Sequence, residues 1–251
     1  MRMTNSVLAR IIGILSIAAL LAAPAQSQIT FQVGAGAGVA LPASDYSGTT
    51  VDFYNGGKYG LKSGLTLNAK VRGGILGLRA AGEVNYSMFS NTGEALPGQG
   101  SVEIAHKVLA LKIGPELSLG LPLMPIAPYL GANLSLNRFS GTVKFQGVSK
   151  LPSASYDLKS ASRIGFGFTG GVVLKVGGFT TLDLSAAYDL MNASGKAWED
   201  DYPTQDQRLD SYITLNDDKD PLYKSGDDKH FINNSRSIHS IQIRATLMIG
   251  L

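Results

Sequence analysis

The sequence contains no cysteine, which excludes disulfide cross-links and thiolate metal centres. Charge is sparse: Asp, Glu, Lys and Arg make up 16% of the residues, and the formal net charge is +3. No run of Lys and Arg occurs anywhere in the chain, so the basic stripe that a nucleic-acid partner requires is missing. Long apolar runs are missing too. Outside residues 11–23, nothing approaches the roughly 20 apolar residues that a helix needs to cross a bilayer.

Residues 1–25 read as a secretory signal. Arg2 and Arg10 supply a positive start, 11–23 an apolar core, and Ala23-Pro24-Ala25 a small-x-small cleavage pattern. Its removal leaves a net charge of +1. The remainder, 26–251, is read as one domain, rich in the chain's 30 glycines. An exported chain without a second apolar run can cross a membrane only with strands.

Strands are what the pattern supplies. From Ser237 to Leu251 every second residue is apolar, with Ile241, Ile243, Ala245, Leu247 and Ile249 alternating with Gln242, Arg244, Thr246, Met248 and Gly250. Strict alternation marks a strand with one face in an apolar medium. Seven further segments repeat it, at 29–41, 61–72, 78–88, 109–114, 130–137, 164–175 and 181–190. Short links at 73–76, 120–127 and 176–179 carry Gly-Gly or Pro and suit tight turns. Long links are expected at 42–57, 89–101, 140–162 and 192–236. Short and long links alternate, as in outer-membrane barrels with short periplasmic turns and long extracellular loops. Aromatics near strand ends, Tyr59, Tyr86, Phe89, Phe139 and Tyr188 on one side and Phe31, Tyr129 and Phe179 on the other, are expected to form two interfacial girdles.

A soluble lipocalin-like barrel would alternate with its apolar face inward. Its outer face would then be dense in Lys and Glu, whereas the polar face here is mainly Gly, Thr, Asn and Ser. The expected fold is therefore an all-β, eight-stranded antiparallel transmembrane barrel. The chain resembles small outer-membrane barrels of the OmpA/OmpX-like superfamily along its whole mature length. The most recognisable passage is Leu109-Ala110-Leu111-Lys112-Ile113-Gly114-Pro115-Glu116, then a Pro-rich turn, then Pro128-Tyr129-Leu130-Gly131-Ala132-Asn133-Leu134. It differs from the family in ending on Leu251 rather than on an aromatic residue. The resemblance implies a structural, surface-interaction or adhesion role without catalysis. Expected partners are outer-membrane lipid and lipopolysaccharide, the barrel-assembly machinery acting on the C-terminal strand, and a surface ligand at the extracellular loops. Alternatives are a narrow porin-like channel and a lipid A-modifying enzyme.

An eight-stranded barrel is filled by its own side chains. The polar face is expected to point Lys62, Lys70, Arg72, Arg79, Glu83, Lys112, Glu116, Lys175, Asp183, Asp189 and Arg244 inward, where buried charges must pair. Counting from the turns predicts the pairs Glu83–Lys112 and Asp183–Arg244. Gly34-Ala35-Gly36-Ala37-Gly38 is read as barrel lining, since no helix follows it as a nucleotide-binding loop would need. No local Ser–His pairing is read at His106, His230 or His239, and the three are expected to be solvated on the rim or loops. In the last loop, ten acidic residues fall between positions 199 and 228. Of these, Glu199, Asp200, Asp201, Asp217, Asp218, Asp220, Asp227 and Asp228 are candidates for gathering a hard cation, against the plainer expectation of a solvated acidic loop. Its aromatic and aliphatic residues suggest a hairpin extending the last two strands. No cofactor is implied.

Overall fold

A computed structural model describes residues 30–119, 126–199 and 208–250. The expected signal at 1–25, the turn residues 120–125, Asp200, Asp201 and Leu251 lie outside the described residues. Eight antiparallel strands close into a barrel in chain order. They are β1 (Thr30–Ser44), β2 (Gly64–Ile75), β3 (Leu78–Leu96), β4 (Gln99–Ser118), β5 (Ile126–Gln146), β6 (Ser155–Lys175), β7 (Thr180–Ser194) and β8 (Ile238–Gly250). β8 returns to β1 from Gln32↔Gly250 to Ser44↔Ile238, leaving no unpaired edge there for lipid to meet. None of the helices described is long and apolar enough to cross a membrane.

The pleat sorts the two faces. Val71, Val84, Leu111, Ile113, Phe168 and Leu247 stand on the outer wall, with Ile113 as much as 69% exposed, while Lys70, Arg72, Asn85, Lys112 and Asp183 are buried inside. So large an apolar exterior is stable in lipid rather than water. Inward glycines on β1 bring that strand tight against β8: a methyl group on Gly36 would lie 2.3 Å from the Ala245 carbonyl oxygen. At one end β2 and β3 join through Leu76 and Gly77, both at positive φ (52° and 82°), the signature of a two-residue type I′ hairpin.

At the other end the structure corrects the expected loops. Strands β3 to β6 are 19–21 residues long, about twice the roughly 9–11 that span a bilayer. Residues 89–101 are not a loop: β3 and β4 stay paired up to Leu96↔Gln99, turning at Pro97 and Gly98, with Gly98 at φ 71°. β5 and β6 likewise stay paired to Lys144↔Ser155. These extensions escape the sequence pattern because the apolar phase shifts by one residue. In the membrane band the outward Leu109, Leu111 and Ile113 are apolar; above it the inward Val102, Ile104, Val143 and Phe145 are, all buried. Water replaces lipid outside, so the apolar face turns in.

The inner faces of the extensions enclose a second core. Onto it pack two short helices, α1 (Thr50–Tyr54) and α2 (Asp210–Ile213). A capping box between Thr49 and Asp52 starts α1. The core gathers Tyr46, Phe53, Tyr59, Phe89, Phe139 and Tyr212, so Tyr59, Phe89 and Phe139 do not belong to an outer girdle. Tyr129 is also buried inside, whereas Phe31, Phe179 and Tyr188 are exposed on the wall. The last loop does not extend β7 and β8 as a hairpin; it folds down into the barrel mouth, burying Leu209, Tyr212, Leu215 and Ile232.

Candidate functional site

Two structures stand in the lumen and across its mouth, one ionic and one a folded cap. The ionic one arises because inward positions recur every second residue, so β2 presents Lys70 and Arg72, β3 Arg79 and Glu83, β4 Lys112 and Glu116, β7 Asp183 and Asp189, and β8 Arg244. Nearer the short turns, Arg72 donates to Asp183 at 2.8 Å and Lys70 lies 3.3 Å from the same carboxylate. Lys70 also pairs with Glu116, and Arg79 lies 3.6 Å from Glu116. The Tyr129 hydroxyl donates to Asp183 at 2.8 Å, and its ring faces Lys70 at 4.9 Å and Arg79 at 5.5 Å. Farther along the lumen, Lys112 donates to Asp189 at 2.8 Å and Arg244 pairs with Glu83. A small internal space lined by Lys70, Glu83, Lys112, Glu116, Asn133 and Arg244 touches both groups.

The pairing differs from the sequence expectation. Glu83 and Lys112 are register partners, yet Lys112 turns to Asp189 and Glu83 to Arg244. Asp183 takes Arg72 and Lys70 in place of Arg244. The lumen is narrow enough for a long side chain to reach a strand several places round the wall, so equal height on adjacent strands does not decide partners. Lys62 and Lys175 are exposed rather than internal.

The cap is latched by charge as well as by apolar packing. Arg163 on β6 grips Asp217 with its Nη2 at 2.8 Å and its Nε at 3.0 Å from the two carboxylate oxygens. Asn192 donates to the same carboxylate at 2.9 Å and the Ala197 amide at 3.1 Å; Asp217 is fully buried. Arg236 donates to the Asn216 carbonyl at 2.6 Å and stacks on Tyr59 at 4.2 Å. The Tyr59 hydroxyl donates to the Leu215 carbonyl at 2.9 Å. Burial raises the pKa values of the Tyr46, Tyr59 and Tyr212 hydroxyls.

The acidic residues of the loop that are described do not converge. Asp220 is paired with His230 at 2.9 Å, Asp228 with Lys150 and Glu199 with Lys159 at 3.4 Å. Asp227 and Asp218 accept from nearby loop amides. Among the described residues no three His, Asp or Glu side chains form a group able to hold a metal ion. The histidines are not all solvated either. His106 is buried beneath the cap with the Tyr46 hydroxyl 3.3 Å from its Nδ1; burial, and secondarily Arg236, lowers its pKa from 6.5 to about 3. His239 Nδ1 lies 2.5 Å from the Tyr188 hydroxyl on the outer wall. Sequence reading missed the Arg163–Asp217 latch and the burial of His106, because both depend on a loop folding back across the barrel mouth.

Closed sheet, lipid-facing exterior and charged lumen together define a small eight-stranded transmembrane barrel of the outer-membrane kind. No protein-family model and no curated protein matches the sequence. Among solved structures, neisserial surface protein A is similar at TM-score 0.50 and 19% identity, over 88% of this chain and 97% of that one. OprG from Pseudomonas aeruginosa is similar at TM-score 0.44 and 9% identity, over 89% and 94% of the two chains. Ail of Yersinia pestis, solved with the heparin analogue sucrose octasulfate, stands at TM-score 0.36 and 13% identity, over 90% and 100%. At these identities the likeness is one of fold.

Proposed function

We propose that this chain is a non-enzymatic barrel of the bacterial outer membrane that works at the cell surface, as a structural and adhesive element, rather than as a pore. On this reading 1–25 directs export, the assembly machinery engages β8, and the cap faces outward. The observation that carries it is the double closure of the lumen, by the ion network in the membrane band and by the latched cap above it. Bulk diffusion belongs to barrels of 16–18 strands, twice the number here. A catalytic reading lacks a serine–histidine constellation: His106 meets Tyr46, His230 meets Asp220 and His239 meets Tyr188. Planar-bilayer recording of the refolded chain, with and without residues 196–232, tests the closure. No stable porin-sized conductance is expected from either, since the ion network remains in both; such a conductance from the intact chain would overturn the reading. Deleting 196–232 should also weaken surface contacts, and unchanged attachment would remove the adhesive role.

A further inference from the structure

We infer that the lumen near the short turns binds one small inorganic anion, of chloride size, between Arg72 on β2 and Arg79 on β3. The inference rests on the closed-lumen reading and adds to the ion network a counter-ion drawn from solution.

The lower half of the network does not balance. Lys70, Arg72 and Arg79 gather round Glu116 and Asp183, three cations to two carboxylates. Farther along the lumen Lys112 meets Asp189 and Arg244 meets Glu83, one to one. Among the described residues no third carboxylate lies within ion-pair distance of the lower cations. Arginine does not give up its proton in a protein, and Lys70 already serves both carboxylates, so the surplus charge stays. Arg72 is fully buried and Arg79 only 8% exposed. An unbalanced charge at such a place is costly.

The same two arginines supply the donors. Arg72 directs Nε to Gln32 Oε1 at 2.8 Å and Nη1 to Asp183 at 2.8 Å, but its buried Nη2 finds no hydrogen-bond partner among the described residues. Nor do the buried Nε and Nη2 of Arg79. Both guanidiniums converge on one oxygen, Glu116 Oε2, which lies 3.8 Å from Arg72 Nη1 and 3.6 Å from Arg79 Nη2. That is too far for a hydrogen bond, yet it brings the two cationic groups to one spot. Both also face the Tyr129 ring, at 5.8 and 5.5 Å, which leaves their N–H edges to carry a ligand. The internal space beside Lys70 and Glu116 is about 30 Å³, close to one water's share of the liquid. A halide matches that size; a tetrahedral oxyanion is too large. A water would satisfy the donors but leave the surplus charge, whereas an anion answers both. Arg79 pairs with Gly74 beside the β2–β3 turn, so the site is reached from the short-turn end without passing the upper ion pairs.

The test is a urea titration of the full chain refolded in nonionic detergent, at constant ionic strength, with sodium chloride exchanged stepwise for sodium gluconate. Gluconate is too large for the space. One ion bound only by the folded chain multiplies the folded-to-unfolded ratio by one plus the chloride concentration over Kd, so above Kd that ratio should rise about tenfold for each tenfold increase in chloride. Arg79→Gln, which brings the lower cluster into balance, should abolish the chloride dependence, while Lys224→Gln in the last loop should keep it. Bromide should substitute for chloride, and crystals grown in bromide should show its anomalous peak beside Arg72 and Arg79. Equal ratios in chloride and gluconate would overturn the assignment and put water at the two arginines. A chloride dependence that survives Arg79→Gln, or is lost in Lys224→Gln, would also overturn it. Should Arg79→Gln fail to refold, the bromide peak on the unaltered chain decides, and its absence sinks the site. The closed-lumen reading fails differently, by a stable porin-sized conductance in a planar bilayer.

Discussion

Ile243 and Arg244 are adjacent in sequence and face opposite media. Ile243 is 57% exposed on the outer wall, and Arg244 is buried against Glu83. Ile243→Arg therefore puts a charge into hydrocarbon and should cost about 2–4 kcal/mol near the midplane, read in a folding titration; a neutral result would mean that this face does not meet lipid. Inside the lumen, a double-mutant cycle on Glu83 and Arg244 should return a coupling of about 0.5–3 kcal/mol. The cycle on Glu83 and Lys112, paired in register but not in charge, should return close to none. His106 gives a pH dependence. Its pKa falls from 6.5 to about 3 on folding, so the unfolded segment binds more protons across that window and stability rises with pH there. Acidification from pH 6.5 toward about 3 should progressively loosen the cap, seen as faster hydrogen exchange at 208–236, and His106→Gln should flatten the slope.

Among the elements, the last loop departs most from expectation. Its acidic composition suggested a solvated or cation-gathering loop, but a buried Asp217 and the apolar Leu209, Tyr212 and Leu215 make it a lid. Asp217→Asn removes the charge that balances Arg163, and breaking one partner of a buried pair costs about 3–5 kcal/mol. Hydrogen exchange should then rise over 208–236 while protection in the membrane-spanning parts of β1 to β8 stays high; loss of protection throughout the barrel would refute an independent latch. The extended halves of β3 to β6 were hidden for a related reason. Alternation continues through them, as in Val102-Glu103-Ile104, but with the opposite face apolar, and a pattern tied to lipid outside stops being followed where water takes over.

In the whole molecule, the bilayer experiment separates the two closures. The intact chain has both; the chain without 196–232 loses the latched loop but keeps the ion network and the Tyr46, Phe89 and Phe139 core, so continued silence in the recording would show that the last loop is not what blocks the lumen. The strands within the membrane band and their order were legible from sequence because an alternation of period two has a single reading once one side is lipid; of the charges expected inside, Lys62 and Lys175 are exposed, since Lys62 precedes β2 and Lys175 ends β6. The charge partners were not legible. A barrel wall curves, so Arg72 on β2 meets Asp183 on β7, 2.8 Å away across a lumen that no linear count spans. The sequence by itself determined a closed transmembrane barrel, since burying its backbone and exposing every second apolar residue to lipid admits no other solution. Tertiary structure alone decided which charges meet and which loop becomes the lid, because those depend on distances across the barrel rather than along the chain.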